Sequence, residues 1–489
     1  MPWILFLLGA AERLAFLIGS QDRAWPFSIF YEGDAEAFHD YAQSILAGQR
    51  YDSGIPFHPP FFPFVLSGLH ALLGSPVPNE LLRALLGVAS AAVPVLLYLV
   101  VRDLIGRGPA IAAGLLAAFS FGLDTIGTSA TSEGLYLVLL LVSLFLARAP
   151  AGDGRRAGLA RAAILGAIGG LAALTRAEGA GAAILIMVVW LAEDLRARPR
   201  RAIALRTGAA WAAGLLIILL PWTIRNAVTL SQWNDGPGRA MGTRIPTFVP
   251  ITAYGPLNFA LANGDSANGE FQRKLLTSKS NLAILDLKDP QHRHYFLNGT
   301  AEGLRWIANH PTRFAGLIGR KLDITSRALD LGWTPWNAPL GRTGLRRPVD
   351  MFAPDATGLR FIQMVVACAG IWLLLRNRRR KAAILFAAPI AASAIAATLF
   401  FGYVRLGVLT LPLVFAFEGT ALAWIAARLP ERARRSIHRR EVQWSLVALA
   451  AAVLIFAAVQ KRDYRASGTA DRPGGTLNRD AEIRVSPIR

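Results

Sequence analysis

At about eleven places the chain runs apolar for long enough, or nearly long enough, to cross the hydrocarbon of a bilayer. The runs lie at about 2 to 20, 80 to 101, 108 to 123, 131 to 148, 160 to 175, 177 to 193 and 205 to 222, and then at about 358 to 375, 382 to 402, 405 to 427 and 442 to 460. With 53% hydrophobic residues and a mean hydropathy of +0.39, the chain carries more apolar surface than a soluble core can bury. It reads as an all-α polytopic membrane protein.

The formal charge of +20 raises the question of nucleic acid. The arginines, however, fall in short clusters between apolar runs, where membrane topology accounts for them, so no nucleic-acid partner is expected. The single cysteine, Cys368, excludes disulfides within the chain and thiolate metal sites. The first run lacks a basic leader and is broken by Glu12 and Arg13, so it reads as a retained helix. That pair is either functional or a mutually neutralised contact between helices.

The segment PPFFPFVLSGLHALLG at 59 to 74 is marginal in length and begins in prolines. If it does not cross, one side of the membrane receives Arg102 and Arg107, then the clusters around 148 to 161, 196 to 206, 376 to 381 and 428 to 440, while the opposite short turns hold almost no basic residues. That is the cytoplasmic signature. A crossing at 59 to 74 would keep the clusters on one side and put the polar stretch in the cytoplasm. The non-crossing version is preferred, with the N-terminus inside, the segment 59 to 74 in the interface or dipping back, and the polar stretch before it outside. The expected organisation is an N-terminal membrane module over 1–222 with an external catalytic loop at 21–79, an external element over 223–357, C-terminal membrane helices over 358–460, and a disordered tail at 461–489. Within the external element, residues 310 to 329 space Phe314, Leu317, Ile318, Leu322 and Leu329 as one helical face, to lie on the membrane surface or on the protein's own core.

The stretch 31 to 63 packs Glu32, Asp34, Glu36 and Asp40 just after the first apolar run and ends in Pro59, Pro60 and Pro63. Carboxylates at a membrane mouth point to chemistry or ion handling. Asp34 also suits the cap of a short helix over AEAFHDYAQSILAG, a role compatible with catalysis because it would hold the carboxylate rigidly. On the same face Glu133 opens a run in TSEGLY, where an acid also complements a helix N-terminus. Arg176 in LTRAEGA and Arg405 in GYVRLGV stand in outer turns that the charge rule leaves unexplained. They call for an anionic partner, a phosphate or carboxylate, or for pairing with Glu178. Nucleotide-binding glycine loops and zinc motifs are missing from the sequence.

The pieces GDAEAFHDYAQSILAGQ, HPPFFPFVLSGLHALLG, TSEGLY, GGLAALTRAEG, LPWTIRN, IANHPTRFAGLIGRKL and GYVRLGVLTLPLV, in this order, resemble the GT-C superfamily of membrane glycosyltransferases, in its family 39-like group of protein O-mannosyltransferases and aminoarabinose transferases. The resemblance covers most of residues 1 to 427. It implies a GT-C-type bundle of about 11 transmembrane helices (10–13) with external juxtamembrane helices. It also implies a polyprenyl-phosphate sugar donor, a hydroxyl acceptor on a cell envelope glycan, lipid or protein, and a bacterial inner membrane with the site on the periplasmic side. Asp34 is then the catalytic carboxylate, Glu133 a recurrent acid, and Arg176 and Arg405 the residues facing the donor phosphate. Where relatives carry Arg or Lys before the proline pair, this chain has His58, which ties a phosphate contact there to pH.

Asp34 with Glu133, and Glu36 as a supporting acid, could hold a divalent cation, Mg or Mn, through oxygen ligands. With no separate nucleophile evident, single displacement with inversion is expected. A transporter or flippase of a polyprenyl-linked glycolipid, or a ligase of longer glycans, are the competing readings.

Overall fold

The computed structural model describes residues 1–19, 33–52, 54–75, 77–149, 156–197, 201–272, 274–276, 285–333 and 356–428. Glu32, the apolar run at 442–460 and the tail at 461–489 lie outside the described residues. The expected all-α membrane fold is what the chain forms, and no strand occurs among the described residues.

The first apolar run is α1 (Pro2–Gly19), followed by α2 (Gly33–Leu46) and α3 (Phe61–Leu73). At 13 residues α3 reaches about 20 Å, short of the roughly 30 Å of hydrocarbon. It starts directly after Pro59 and Pro60, and Pro63 sits in its first turn, where the missing N–H costs nothing. Helices α4 (Asn79–Ser90) and α5 (Ala92–Leu104) run on as one span of 26 residues. The run expected at 108 to 123 divides into α6 (Arg107–Ala118) and α7 (Phe121–Gly127), bent by 60° at the break. Next come α8 (Glu133–Ala147), α9 (Arg156–Thr175), α10 (Gly179–Ala197) and α11 (Arg201–Trp233).

Helix α11 does not stop where its apolar run ends at 222. It carries Pro221 inside and continues through the polar turns to Trp233, so a boundary at 222 falls within a helix. Helices α9 and α11 lie backbone to backbone, since a methyl group on Gly166 would stand 1.9 Å from the Trp211 carbonyl oxygen.

Three helices precede the C-terminal group: α12 (Gly255–Ala262), α13 (Pro290–Asn309) and α14 (Pro311–Ser326). Of the two settings open for the 310 to 329 helix, α14 takes the protein's own core. Leu317, Lys321 and Ile324 point inward at intervals of four and three, while Leu322 is exposed. The chain then forms α15 (Ala356–Arg376), α16 (Arg380–Leu399), α17 (Val404–Val408) and α18 (Leu411–Ala426). The run expected at 405 to 427 breaks at Leu409–Thr410 because Pro412, near the N-terminus of α18, favours a new helix start.

Four described helices are singly long and apolar enough to cross a membrane, a fifth forms if α6 and α7 count as one, and α8, α10 and α18 are shorter apolar helices. Their shared core includes Leu97, Val101, Leu141, Phe386 and Phe415.

The bundle has two chemically distinct ends. At one, Asp103 in the last turn of α5 accepts from Arg102 and Arg148 at 2.7 Å each, and Lys381 of α16 donates to the Arg148 carbonyl at 2.9 Å. The basic loops that the charge count grouped together thus meet in space. The 15 residues of α8 separate Arg148 from Glu133 by about 22 Å, which puts Glu133 at the other end.

Arg13 does not rest on Glu12 alone. Its guanidinium lies 3.5 Å from Asp124 of α7 and donates to Ser90 Oγ at 2.7 Å and the Gly9 carbonyl at 2.9 Å. The partner is a residue 111 positions away, which adjacency in the sequence could not reveal.

Candidate active site

Glu133, the first residue of α8, is fully buried, and its placement at a helix N-terminus complements the helix dipole. Two guanidinium groups converge on its Oε1. Arg176, in the turn between α9 and α10, donates through Nη1, and Arg405 of α17 approaches through Nε at 3.0 Å. Arg405 also donates through Nη2 to Asp34 Oδ2 at 3.0 Å, and Arg176 Nε donates to Glu178 Oε1 at 2.6 Å. Residues 34, 133, 176, 178 and 405 form one network across four parts of the chain.

Local packing sets each member. Asp34 sits in the first turn of α2, which begins at Gly33, one residue earlier than the cap position expected for Asp34. Helix boundaries shift by that much readily. The Arg405 turn is seated against α14, where a methyl group on Gly407 would stand 2.0 Å from the Thr325 carbonyl oxygen.

His58 lies in the segment before α3. Its Nε2 stands 3.7 Å from Asp34 Oδ1 and its Nδ1 3.1 Å from the Tyr41 hydroxyl. Glu36 shares the first turn of α2 with Asp34, but two residues on a helix turn the side chain by about 200°, so it leaves the helix on the opposite face.

Several participants carried no clear signal in the sequence. Tyr41 follows Asp34 by seven residues, a same-face spacing that could have flagged it. Tyr403 precedes Arg405 by two. Tyr254 had no signal at all, and its ring stacks on Phe57 at 4.6 Å. Burial first holds the hydroxyls of Tyr254 and Tyr41 well above the usual phenol range, followed by the Asp34 carboxylate for Tyr254 and by the Asp52 carboxylate for Tyr41. For Tyr403 burial dominates, partly offset by Arg405. All three stay protonated hydrogen-bond donors. Burial works against the charge of Arg176, but Glu178 and Glu133 outweigh it and keep the guanidinium charged.

The WTIRN piece has a clamping role. Arg225 forms a two-pronged pair with Asp52 at 2.9 Å on each arm, while Trp222 and Asn226 donate to the Ile251 carbonyl. This ties the segment leading to His58 to the end of α11.

The carboxylates do not fit a divalent ion as arranged. The Arg405 guanidinium stands between Asp34 and Glu133, the two acids that would have to share the metal. Among the described residues no group of three ligating side chains forms.

Residues 57–224 match the family model described as dolichyl-phosphate-mannose-protein mannosyltransferase. The match covers less than half of the chain, and over it the protein is similar to that family. Within the matched region fall His58, Glu133 and Arg176 of the candidate site, while Asp34 and Arg405 flank it.

Solved structures give looser likenesses. The apo oligosaccharyltransferase of Archaeoglobus fulgidus is 12% identical with a TM-score of 0.48, over 94% of this chain and 56% of that one. The same organism's AglB in complex with an inhibitory peptide and a dolichol-phosphate is 14% identical with a TM-score of 0.46, over 97% and 56%. ArnT of Cupriavidus metallidurans bound to undecaprenyl phosphate is 14% identical with a TM-score of 0.36, over 88% and 81%. The chain spans about half the length of the archaeal proteins it matches. A search of curated proteins returned no match.

Proposed function

We propose that the protein transfers a sugar from a polyprenyl-phosphate-linked donor to a hydroxyl acceptor at the outer face of a bacterial inner membrane. The observation that carries this reading is Arg405 held jointly by Asp34 and Glu133, with Arg176 on the far side of Glu133. The arrangement puts a carboxylate and two fixed cations at the end of the bundle opposite the basic loops.

Of the two carboxylates that hold Arg405, Asp34 is the one a substrate can reach, and it is taken as the base. Its side chain is 24% exposed, whereas that of Glu133 is 0%. The acceptor hydroxyl attacks the anomeric carbon as its proton passes to Asp34, and the bond from that carbon to the phosphate oxygen breaks. Such proton removal contributes about 10²- to 10⁴-fold. The leaving phosphate takes the electron pair without needing a proton, and Arg405 and Arg176 offset its growing charge. Glu133 holds the two guanidinium groups at a fixed spacing.

An arriving phosphate competes with Asp34 for Arg405, so donor binding also loosens the carboxylate from its ion pair for its work as base. Glu133, the carboxylate that shares Arg405 with Asp34, is sealed from substrate, which favours single displacement with inversion. The test is release of free polyprenyl phosphate by the purified protein in proteoliposomes, with a panel of polyprenyl-phosphate sugars and an envelope-glycan extract. Transbilayer movement of the intact donor with no release would instead mark a flippase.

A further inference from the structure

We infer that Tyr41 is a positioning residue for the transfer, acting on Asp34 through the ring of His58; this rests on Asp34 being the base. Asp34 and Tyr41 stand two turns apart on one face of α2, and the imidazole bridges them. Its Nδ1 is 3.1 Å from the Tyr41 hydroxyl and its Nε2 is 3.7 Å from Asp34 Oδ1. The second distance is long for a hydrogen bond, as is common in catalytic sites before substrate binds.

The ring is held from several sides. Phe38 and Phe57 meet it edge-on with centroids 5.4 and 5.1 Å away. The Tyr51 hydroxyl donates to the Pro59 carbonyl at 3.2 Å, which fixes the backbone beside His58. Tyr51 in turn stacks on Tyr41 at 4.6 Å with planes 19° apart, so the Tyr41 ring is fixed as well.

The consequence is a tautomer. An ionised carboxylate only accepts, so with Asp34 on the Nε2 side the neutral imidazole carries its proton there, and Nδ1, bearing no hydrogen, accepts from the Tyr41 hydroxyl. That N–H steadies Asp34 Oδ1 while Arg405 steadies Oδ2, and the carboxylate is aimed in its ionised form. The charged or titratable groups facing the imidazole are Asp34 and Tyr41 from α2 and Tyr254 from the segment before α12, with Arg405 one bond further on through Asp34. The pair Tyr41 and His58 thus fixes the direction in which the Asp34 carboxylate is held.

A double-mutant cycle on the full-length protein in proteoliposomes tests this. Tyr41→Phe keeps the ring stacked on Tyr51 and removes only the hydroxyl. It is expected to lower kcat about three- to tenfold with the donor KM little changed. His58→Gln keeps an N–H near the Nε2 position and is expected to lower kcat by a similar factor. In the His58→Gln background, Tyr41→Phe is expected to have no further effect. An equal loss from Tyr41→Phe in both backgrounds, or an unchanged kcat in the single variant, would overturn the inference and leave Tyr41 a packing residue. Failure of the parent reading shows separately, as Asp34→Asn retaining turnover.

Discussion

Arg405 and Asp34, 371 residues apart in sequence, meet in a 3.0 Å ion pair at the mouth of the bundle. The contact joins α2 to α17, so the site exists only in the folded chain. It also means that the proposed base and the proposed phosphate ligand restrain each other before substrate arrives.

Arg405→Lys tests that shared role. Lysine keeps the charge but loses the planar fork that reaches Asp34 and Glu133 together. Loss of one charge-assisted bond is worth about 1.5–3 kcal/mol. Steady-state kinetics should therefore show kcat/KM for the donor reduced about 10- to 100-fold. Unchanged kinetics would remove Arg405 from the site.

Glu133→Gln should damage the fold as well as turnover. The buried carboxylate sits between two guanidinium groups, and removing one partner of a buried ionic contact costs about 3–5 kcal/mol. A thermal melt in detergent should fall markedly. A melt like that of the wild type would show that Glu133 does not hold the arginines.

The seat of Arg405 can be probed without touching any charge. Gly407→Ala drives a methyl group into the Thr325 carbonyl, whereas a methyl group on Gly316 in α14 meets nothing within 4 Å. Turnover should drop for Gly407→Ala and hold for Gly316→Ala, measured side by side.

Much of this site was legible in the sequence, and the reason is solvation. Asp34, Glu133, Arg176 and Arg405 each place a charge at the edge of an apolar run, where it must find a partner, so each stood out. Of the partners, Glu178 was legible as the sequence neighbour that pairs with Arg176, whereas Arg13 reached past Glu12 to Asp124, and Tyr254 gave no local pattern. Helix limits also escaped hydropathy where polar turns stay helical, as in α11 through Trp233, and where a break comes from the backbone, as between α17 and α18. The face of α14 misled because its inward row includes a lysine, Lys321, whose ammonium is buried against Asn263 Oδ1 at 2.9 Å and the Thr398 carbonyl at 3.1 Å.

That lysine supplies a pH prediction. Burial pushes the Lys321 amine down from 10.5 to about 8. Between those values the unfolded chain still binds a proton that the folded chain has released, so stability should rise as pH increases from about 8 towards 10.5. Melting temperatures across that window, compared with Lys321→Met, check this. The variant should lose that part of the rise.

The central claim is that Asp34 accepts the proton of the attacking hydroxyl. Asparagine has nearly the same shape and cannot take up a proton at that oxygen, so the most direct measurement is polyprenyl phosphate release by Asp34→Asn in proteoliposomes, beside the wild type at matched donor occupancy. The account predicts turnover reduced at least about 100-fold with the protein folded and donor binding retained. Turnover within a fewfold of the wild type would contradict it.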